Sequence, residues 1–143
     1  MIHEQRVRDW MSPNPVTVPA STTLPEAHKI MEQRKIRRLL VVDGDKLLGI
    51  ITRGDVRGAQ PSDATSLSIW EINYLLSRLT VERIMTTDMV TVSADAPIRE
   101  AARLMLEKKI AGLPVVDNDK LVGIITESDI FRLVAQSWTQ ESA

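Results

Sequence analysis

The chain has 143 residues, 43% hydrophobic and 26% charged, with 18 basic against 19 acidic side chains. That length and composition can bury a core, which argues against a disordered tail, and the net charge of −1 argues against a protein that coats a polyanion. The absence of cysteine excludes disulfides, thiolate catalysis and cysteine metal sites; with a charged opening, MIHEQRVRDWM, and no apolar run of membrane-spanning length, the expected location is the cytoplasm and no membrane partner is expected.

In chain order, a short segment VRDWM leads to Met11, and the β-branched residues of PVTVPA predict a brief strand around Val16, Thr17 and Val18. Leu24, Ala27, Ile30 and Met31 then recur at helical spacing, with Thr23 and Glu26 placed for a capping box and Pro25 in the first turn. RLLVVDGDKLLGIIT reads as two apolar strands around a tight Asp-Gly-Asp turn, and Gly49 inside the second strand marks a bulge or a close approach. A second helix is predicted to begin near Gly54. Gln60 to Thr80 opens like a turn, but Leu67, Trp70, Ile72, Tyr74, Leu75, Leu76 and Leu79 predict an amphipathic helix that docks on the core or on a partner.

The elements then return in the same order. One offset carries Met11 onto Met85, Thr17 onto Thr91, Met31 onto Met105, Asp43 onto Asp117 and Asp55 onto Asp129, and Val7 to Ala59 matches Val81 to Leu133 at about two positions in five. The second copy reads VERIM, the strand MVTVSA, a helix through Ile98, Ala101, Ala102 and Met105 opened by Pro97, the hairpin GLPVVDNDKLVGIIT with Gly123, and a helix near Ser128. The two copies do not cap identically, and the polar tail after Ala135 is expected to fray.

The sequence GIITRGD, Gly49 to Asp55, thus recurs as GIITESD, Gly123 to Asp129. A Thr-x-x-Asp before a helix makes a capping box with Asp in the place of Glu, a contribution of about 1 kcal/mol. The same geometry also suits a ligand. A helix N-terminus favours an anion, while an aspartate beside it accepts hydrogen bonds from vicinal hydroxyls, and together these describe a nucleoside phosphate.

The Val-Thr-Val strand, the hairpin opening from Ile110 to Asp117 and the twice-written Gly-x-x-Thr-x-x-Asp loop resemble the CBS domain, and the whole resembles a tandem pair, or Bateman module. The inter-repeat segment resembles that of acetoin-utilisation-type CBS proteins. The resemblance implies an α/β (α+β) fold of two β-α-β-β-α repeats, 7–59 and 81–135, joined by a helical linker, 60–80. It further implies pseudo-two-fold symmetry, sheets packed together with helices outside, and two clefts that hold adenosine ligands such as AMP, ADP, ATP or S-adenosylmethionine. Carried over by motif, Thr126 and Asp129 take the ribose in one cleft and Thr52 and Asp55 in the other. The base lies near Val90 and Thr91, or Val16 and Thr17, with apolar contacts from Ile110, Ala111, Gly112, Leu113 and Pro114 or from Ile36 to Leu40.

The copies differ at this opening. Arg37, Arg38 and Leu40 stand where the second copy has Ala111, Gly112 and Pro114, so the first offers charge for phosphates and the second room for a ring, or else the arginines form a solvated patch with Arg34 and Lys35. The cleft with Asp129 is therefore expected to be the better adenosine site. His3 and His28 have no second ligand at metal spacing, Asp43, Asp45, Asp117 and Asp119 suit hairpin turns, Met11, Met31, Met85 and Met105 follow the apolar pattern, and no catalytic or metal residue is assigned. The expected function is a noncatalytic regulatory module with an adenine nucleotide as regulatory ligand and no required cofactor. Its expected partners are an unknown regulated protein and a second copy in a homodimer, with no nucleic acid. The alternative is a structural homodimerisation module with vestigial or empty clefts, which the apolar residues Trp70, Tyr74 and Leu75 favour.

Overall fold

The computed structural model describes residues 5–59, 66 and 68–142. His3, the turn-like start of the linker at 60–65 and Leu67 lie outside the described residues. The chain forms two compact units that do not coincide with the sequence repeats. The first unit is Val16–Met89; the second joins the residues up to Pro15 to those from Val90 onward.

The chain begins with α1 (Val7–Trp10) and β1 (Ser12–Pro13), which belong to the second unit although the first repeat encodes them. The first unit comprises β2 (Thr17–Pro19), α2 (Leu24–Arg34), β3 (Arg38–Asp43), β4 (Lys46–Thr52), α3 (Arg53–Gly58), α4 (Ile69–Arg78) and α5 (Val81–Ile84). The second unit continues with β5 (Val92–Ser93), α6 (Ile98–Lys108), β6 (Gly112–Asp117), β7 (Lys120–Thr126) and α7 (Glu127–Ser142). The fold is mixed α/β, as expected, but the first strand of each repeat is only two or three residues long.

In the first unit β2 runs parallel to β3, and β3 pairs antiparallel with β4; in the second, β5, β6 and β7 repeat that order. The hairpin turns use the conformations their residues tolerate, with positive φ at Gly44 in one and at Asn118 and Asp119 in the other. α2 starts with the predicted reciprocal box between Thr23 and Glu26, whereas α6 starts at Pro97 without a side-chain cap. Their buried faces, Leu24, Ala27 and Met31 or Ile98, Ala101 and Met105, pack on Leu39, Val41 and Ile51 or on Leu113, Val115 and Ile125.

Each unit is closed by a strap from the opposite sequence repeat. In the second, Val7 is fully buried, its N–H donates to the Ala96 carbonyl at 3.0 Å, and Ser12 and Pro13 pair with Ile124 and Gly123. In the first, Val81 is fully buried, its N–H donates to the Thr22 carbonyl at 2.8 Å, and Thr86 pairs with Ile50. Burial of each valine stabilises its strap by about 1.5 kcal/mol or more. The second strap also carries Arg8, which donates to Asp95 Oδ1 at 3.0 Å and Asp117 Oδ2 at 3.2 Å; hydrogen bonding to Asp95 and then Asp117 raises its already high pKa.

One expectation changes. The tail does not fray after Ala135: α7 continues to Ser142, since no glycine or proline interrupts it. The linker helix α4 meets α2 around a small cavity shared by Asn73, Leu76, Leu24, Pro25 and His28, yet Trp70, at 80% exposure, Tyr74 and Leu75 stay exposed.

Candidate ligand site

The glycine of each Gly-Ile-Ile-Thr motif lies under a strap methionine. A Cβ on Gly49 would stand 2.5 Å from Met85 Sδ, and one on Gly123 would stand 2.6 Å from Met11 Sδ and 2.9 Å from the Ser12 carbonyl oxygen. Beside each glycine the hairpin register shifts, between Val41 and Val42 or between Val115 and Val116. Both readings of these glycines hold: each marks a bulge and a close approach. Met11 and Met85 are accordingly half-buried lids on the sheets.

At the strand end the threonine and aspartate form the local cap. Thr52 N–H donates to Asp55 Oδ2 at 2.8 Å and Asp55 N–H to Thr52 Oγ1 at 3.1 Å. In the second unit Thr126 N–H donates to Asp129 Oδ2 at 2.9 Å, and the Thr126 hydroxyl reaches the same oxygen at 3.3 Å. The following residue locks the loop to the hairpin opening: Arg53 N–H donates to the Arg37 carbonyl and Glu127 N–H to the Ala111 carbonyl, both at 3.0 Å.

The sheets decide what faces each threonine. Thr52 pairs across strands with Arg38, and Thr126 with Gly112. One threonine therefore has a guanidinium-bearing neighbour and the other no side chain. Thr17 pairs with Leu40, and Val16 accepts from Leu40 N–H at 3.4 Å, which sets both beside the first hairpin opening. Val90 and Thr91 lead into β5 and are half-buried, as are Ile110, Ala111 and Gly112. Leu113 is enclosed in the core of its own unit. Pro114 is buried and pairs with Ile124.

Each unit carries a recess between the helix before its hairpin, α2 or α6, the hairpin opening and the helix after the loop. In the first unit about 540 Å³ is lined by Arg37, Arg38, Thr52, Arg53 and Arg57, with His28 and Glu32. Arg53 is committed to structure, its Nε donating to the Ile36 carbonyl at 3.0 Å and its Nη2 to the Met31 carbonyl at 3.1 Å, and His28 meets Glu32 at 3.1 Å. In the second unit about 490 Å³ is lined by Ala102, Met105, Leu106, Ile110, Ala111 and Phe131, with Lys109 and Glu127 on its rim. Duplication aligns His28 with Ala102, Glu32 with Leu106, Arg37 with Ala111 and Arg57 with Phe131. The same recess is basic in one unit and apolar in the other.

Sequence reasoning singled out Arg37 and Arg38 but missed Arg53 and Arg57, which the Thr-Arg-Gly-Asp-Val-Arg run could have signalled. It also missed Arg132, whose Nη2 lies 3.3 Å from Asp129 Oδ1. The signal there was an acid and a base three apart on one helix.

The family model described as CBS domain matches residues 7–62 and 81–136, so the chain belongs to the CBS domain family as a tandem pair. It is similar to a Vibrio cholerae protein assigned to acetoin utilization (AcuB), with 35% identity, a TM-score of 0.81 and 97% of each chain covered. It is also similar to a CBS domain pair solved with 5′-methylthioadenosine and S-adenosyl-L-methionine, with 33% identity, TM-score 0.74, and 93% of this chain and 98% of that one covered. A third similar structure is CBSX2 in complex with AMP, with 32% identity, TM-score 0.77, and coverage of 92% of this chain and 97% of that one. The chain spans about a quarter of some curated relatives, covering 23% of an L-aspartate semialdehyde sulfurtransferase of Methanocaldococcus jannaschii that is 35% identical over 129 residues. No helix among the described residues is long and apolar enough to cross a membrane.

Proposed function

We propose that the chain is a noncatalytic regulatory module that binds an adenosine-containing ligand and transmits its occupancy to a partner protein. The observation that carries this is the paired Thr-x-x-Asp strand end in both units, together with similar CBS pairs solved with AMP and with S-adenosyl-L-methionine. Asp129 and Asp55 accept the ribose hydroxyls beside Thr126 and Thr52. The base lies toward Val90, Thr91, Ile110, Ala111 and Gly112 in the second unit and toward Val16 and Thr17 in the first, where Arg37 and Arg38 take phosphate oxygens. Signalling requires that the ligand favour one of two arrangements of the protein or its complex.

The module acts in the cytoplasm as a homodimer. Leu106, 81% exposed, and Phe131, 67% exposed, border the apolar recess of the second unit. Lys109 and Glu127, of opposite sign on its rim, let a second copy related by a two-fold axis pair each with the other. A structural dimerisation module is the second reading, favoured by the fact that Thr52 and Asp55 already satisfy each other as a complete capping box.

Thermal unfolding against AMP, ADP, ATP, S-adenosyl-L-methionine and NAD separates the two, on protein freed of copurified ligand by unfolding and refolding. A ligand at about 100 times its dissociation constant adds roughly 2.7 kcal/mol. A raised midpoint with at least one adenosine compound supports the sensor; no shift with any leaves the structural module.

A further inference from the structure

Asp129, 4% exposed, is the one charged residue that is buried among the described residues. A buried carboxylate persists only with partners. Its Oδ2 is filled by Thr126, and its Oδ1 faces Arg132 Nη2 at 3.3 Å. The same Nη2 donates to the Trp10 carbonyl at 3.1 Å, and the guanidinium lies 5.4 Å from the centroid of the Trp10 ring. The indole Nε1 in turn donates to Gln5 Oε1 at 3.1 Å. A continuous set of contacts thus runs from the buried acid to α1, the strap whose Val7 is anchored in the core of the second unit.

The first unit lacks this arrangement. Duplication puts Gly58 where Arg132 stands and Ile84 where Trp10 stands, so no arginine on α3 can hold Asp55 in this way. We propose that Arg132 is a positioning residue for Asp129 and that, through Trp10, it couples ribose occupancy of the second unit to the α1 strap; this rests on the adenosine-binding function proposed above. Each carboxylate oxygen offers two lone pairs, so Arg132 fixes the plane of the acid through one on Oδ1 and leaves the other for a ribose hydroxyl. A hydroxyl donating there draws charge from an ion pair that is already long. The guanidinium then leans toward its remaining partners, the Trp10 carbonyl and ring face, and changes the surroundings of the indole.

The test uses the full chain carrying Asp55→Ala, to silence the other acid, and Trp70→Phe with Trp138→Phe, to leave Trp10 as the only indole. AMP and 2′-deoxy-AMP are titrated by calorimetry while Trp10 emission is recorded. AMP is expected to shift the emission. Arg132→Met is expected to weaken AMP binding about tenfold, bring the AMP to 2′-deoxy-AMP affinity ratio toward one and abolish the emission change. Arg132→Lys, which keeps a cation in reach of Asp129, should retain most of the affinity. Equal or tighter AMP binding by Arg132→Met with an unchanged ratio overturns the proposal while leaving nucleotide binding intact. Absence of binding of AMP, ADP, ATP, S-adenosyl-L-methionine and NAD by the unmodified chain overturns the function itself, and this proposal with it. Should Arg132→Met fail to fold, Trp10→Leu decides: a severalfold loss of AMP affinity is expected, and unchanged affinity overturns the coupling.

Discussion

The two units share a backbone plan, a loop and a threonine–aspartate pair, yet the recess beside that loop is apolar in one and lined with arginines in the other. The threonines themselves face Gly112 in the second unit and Arg38 in the first. Duplication has kept the groups that can hold a ribose and changed what surrounds them. Small side chains at Ala111 and Gly112 suit a planar base, while the guanidiniums of Arg37, Arg38 and Arg57 suit the charge of phosphates. On this account the units divide one ligand chemistry between them.

The largest expected effect breaks the equivalence of the straps. Gly49→Ala and Gly123→Ala should each cost about 1–3 kcal/mol in denaturant unfolding, because the new Cβ meets a methionine and a backbone oxygen. Met85→Ala should relieve part of the Gly49 cost and Met11→Ala part of the Gly123 cost; relief in the opposite pairing would contradict the exchange of straps. Next, Leu106→Asp with Phe131→Asp should raise the dimer dissociation constant at least tenfold in sedimentation experiments. The matched changes Glu32→Lys and Arg57→Asp in the first unit should leave it nearly unchanged.

A smaller effect separates charge from shape. Arg37→Gln with Arg57→Gln should reduce the preference for AMP over adenosine by roughly fivefold at low salt and by less at high salt, as expected for exposed cations. An equal loss for adenosine and AMP would show that the arginines act on packing instead. The smallest compares helix starts: Thr23→Ala should cost about 1 kcal/mol, since α2 depends on the Thr23–Glu26 box, whereas α6 has no side-chain cap to lose.

Much of the fold was legible because its signals are local. Asp-Gly-Asp and Asp-Asn-Asp specify the hairpins, Thr23 and Glu26 start α2, and Leu24, Ala27 and Met31 give its buried face. The strap exchange was not legible for a physical reason. Met11 and Met85 are equivalent under the repeat, as are Gly49 and Gly123, so either methionine suits either glycine and only the folded chain distinguishes the pairings. The polar tail was misread because its composition resembles a loop, while nothing after Phe131 stops a helix already nucleated by the loop.

The candidate site divides in the same way. Thr52, Asp55, Thr126 and Asp129 could be found from a repeated motif, and the local hydrogen bonds place each pair together. Leu113 could not be separated from Ile110 and Ala111 by pattern, because an apolar residue at a strand opening turns inward or outward according to the pleat. Arg132 and Trp10, far apart in the chain, meet only because the α1 strap is part of the second unit.

The inequality of the two units is tested most directly by calorimetric titration of AMP into the unmodified chain, Asp55→Ala and Asp129→Ala, each shown to be folded. Asp129→Ala is expected to weaken the tighter binding event at least tenfold, and Asp55→Ala to leave that event within about twofold of its original affinity. Comparable losses from the two substitutions would contradict the division of roles between the units.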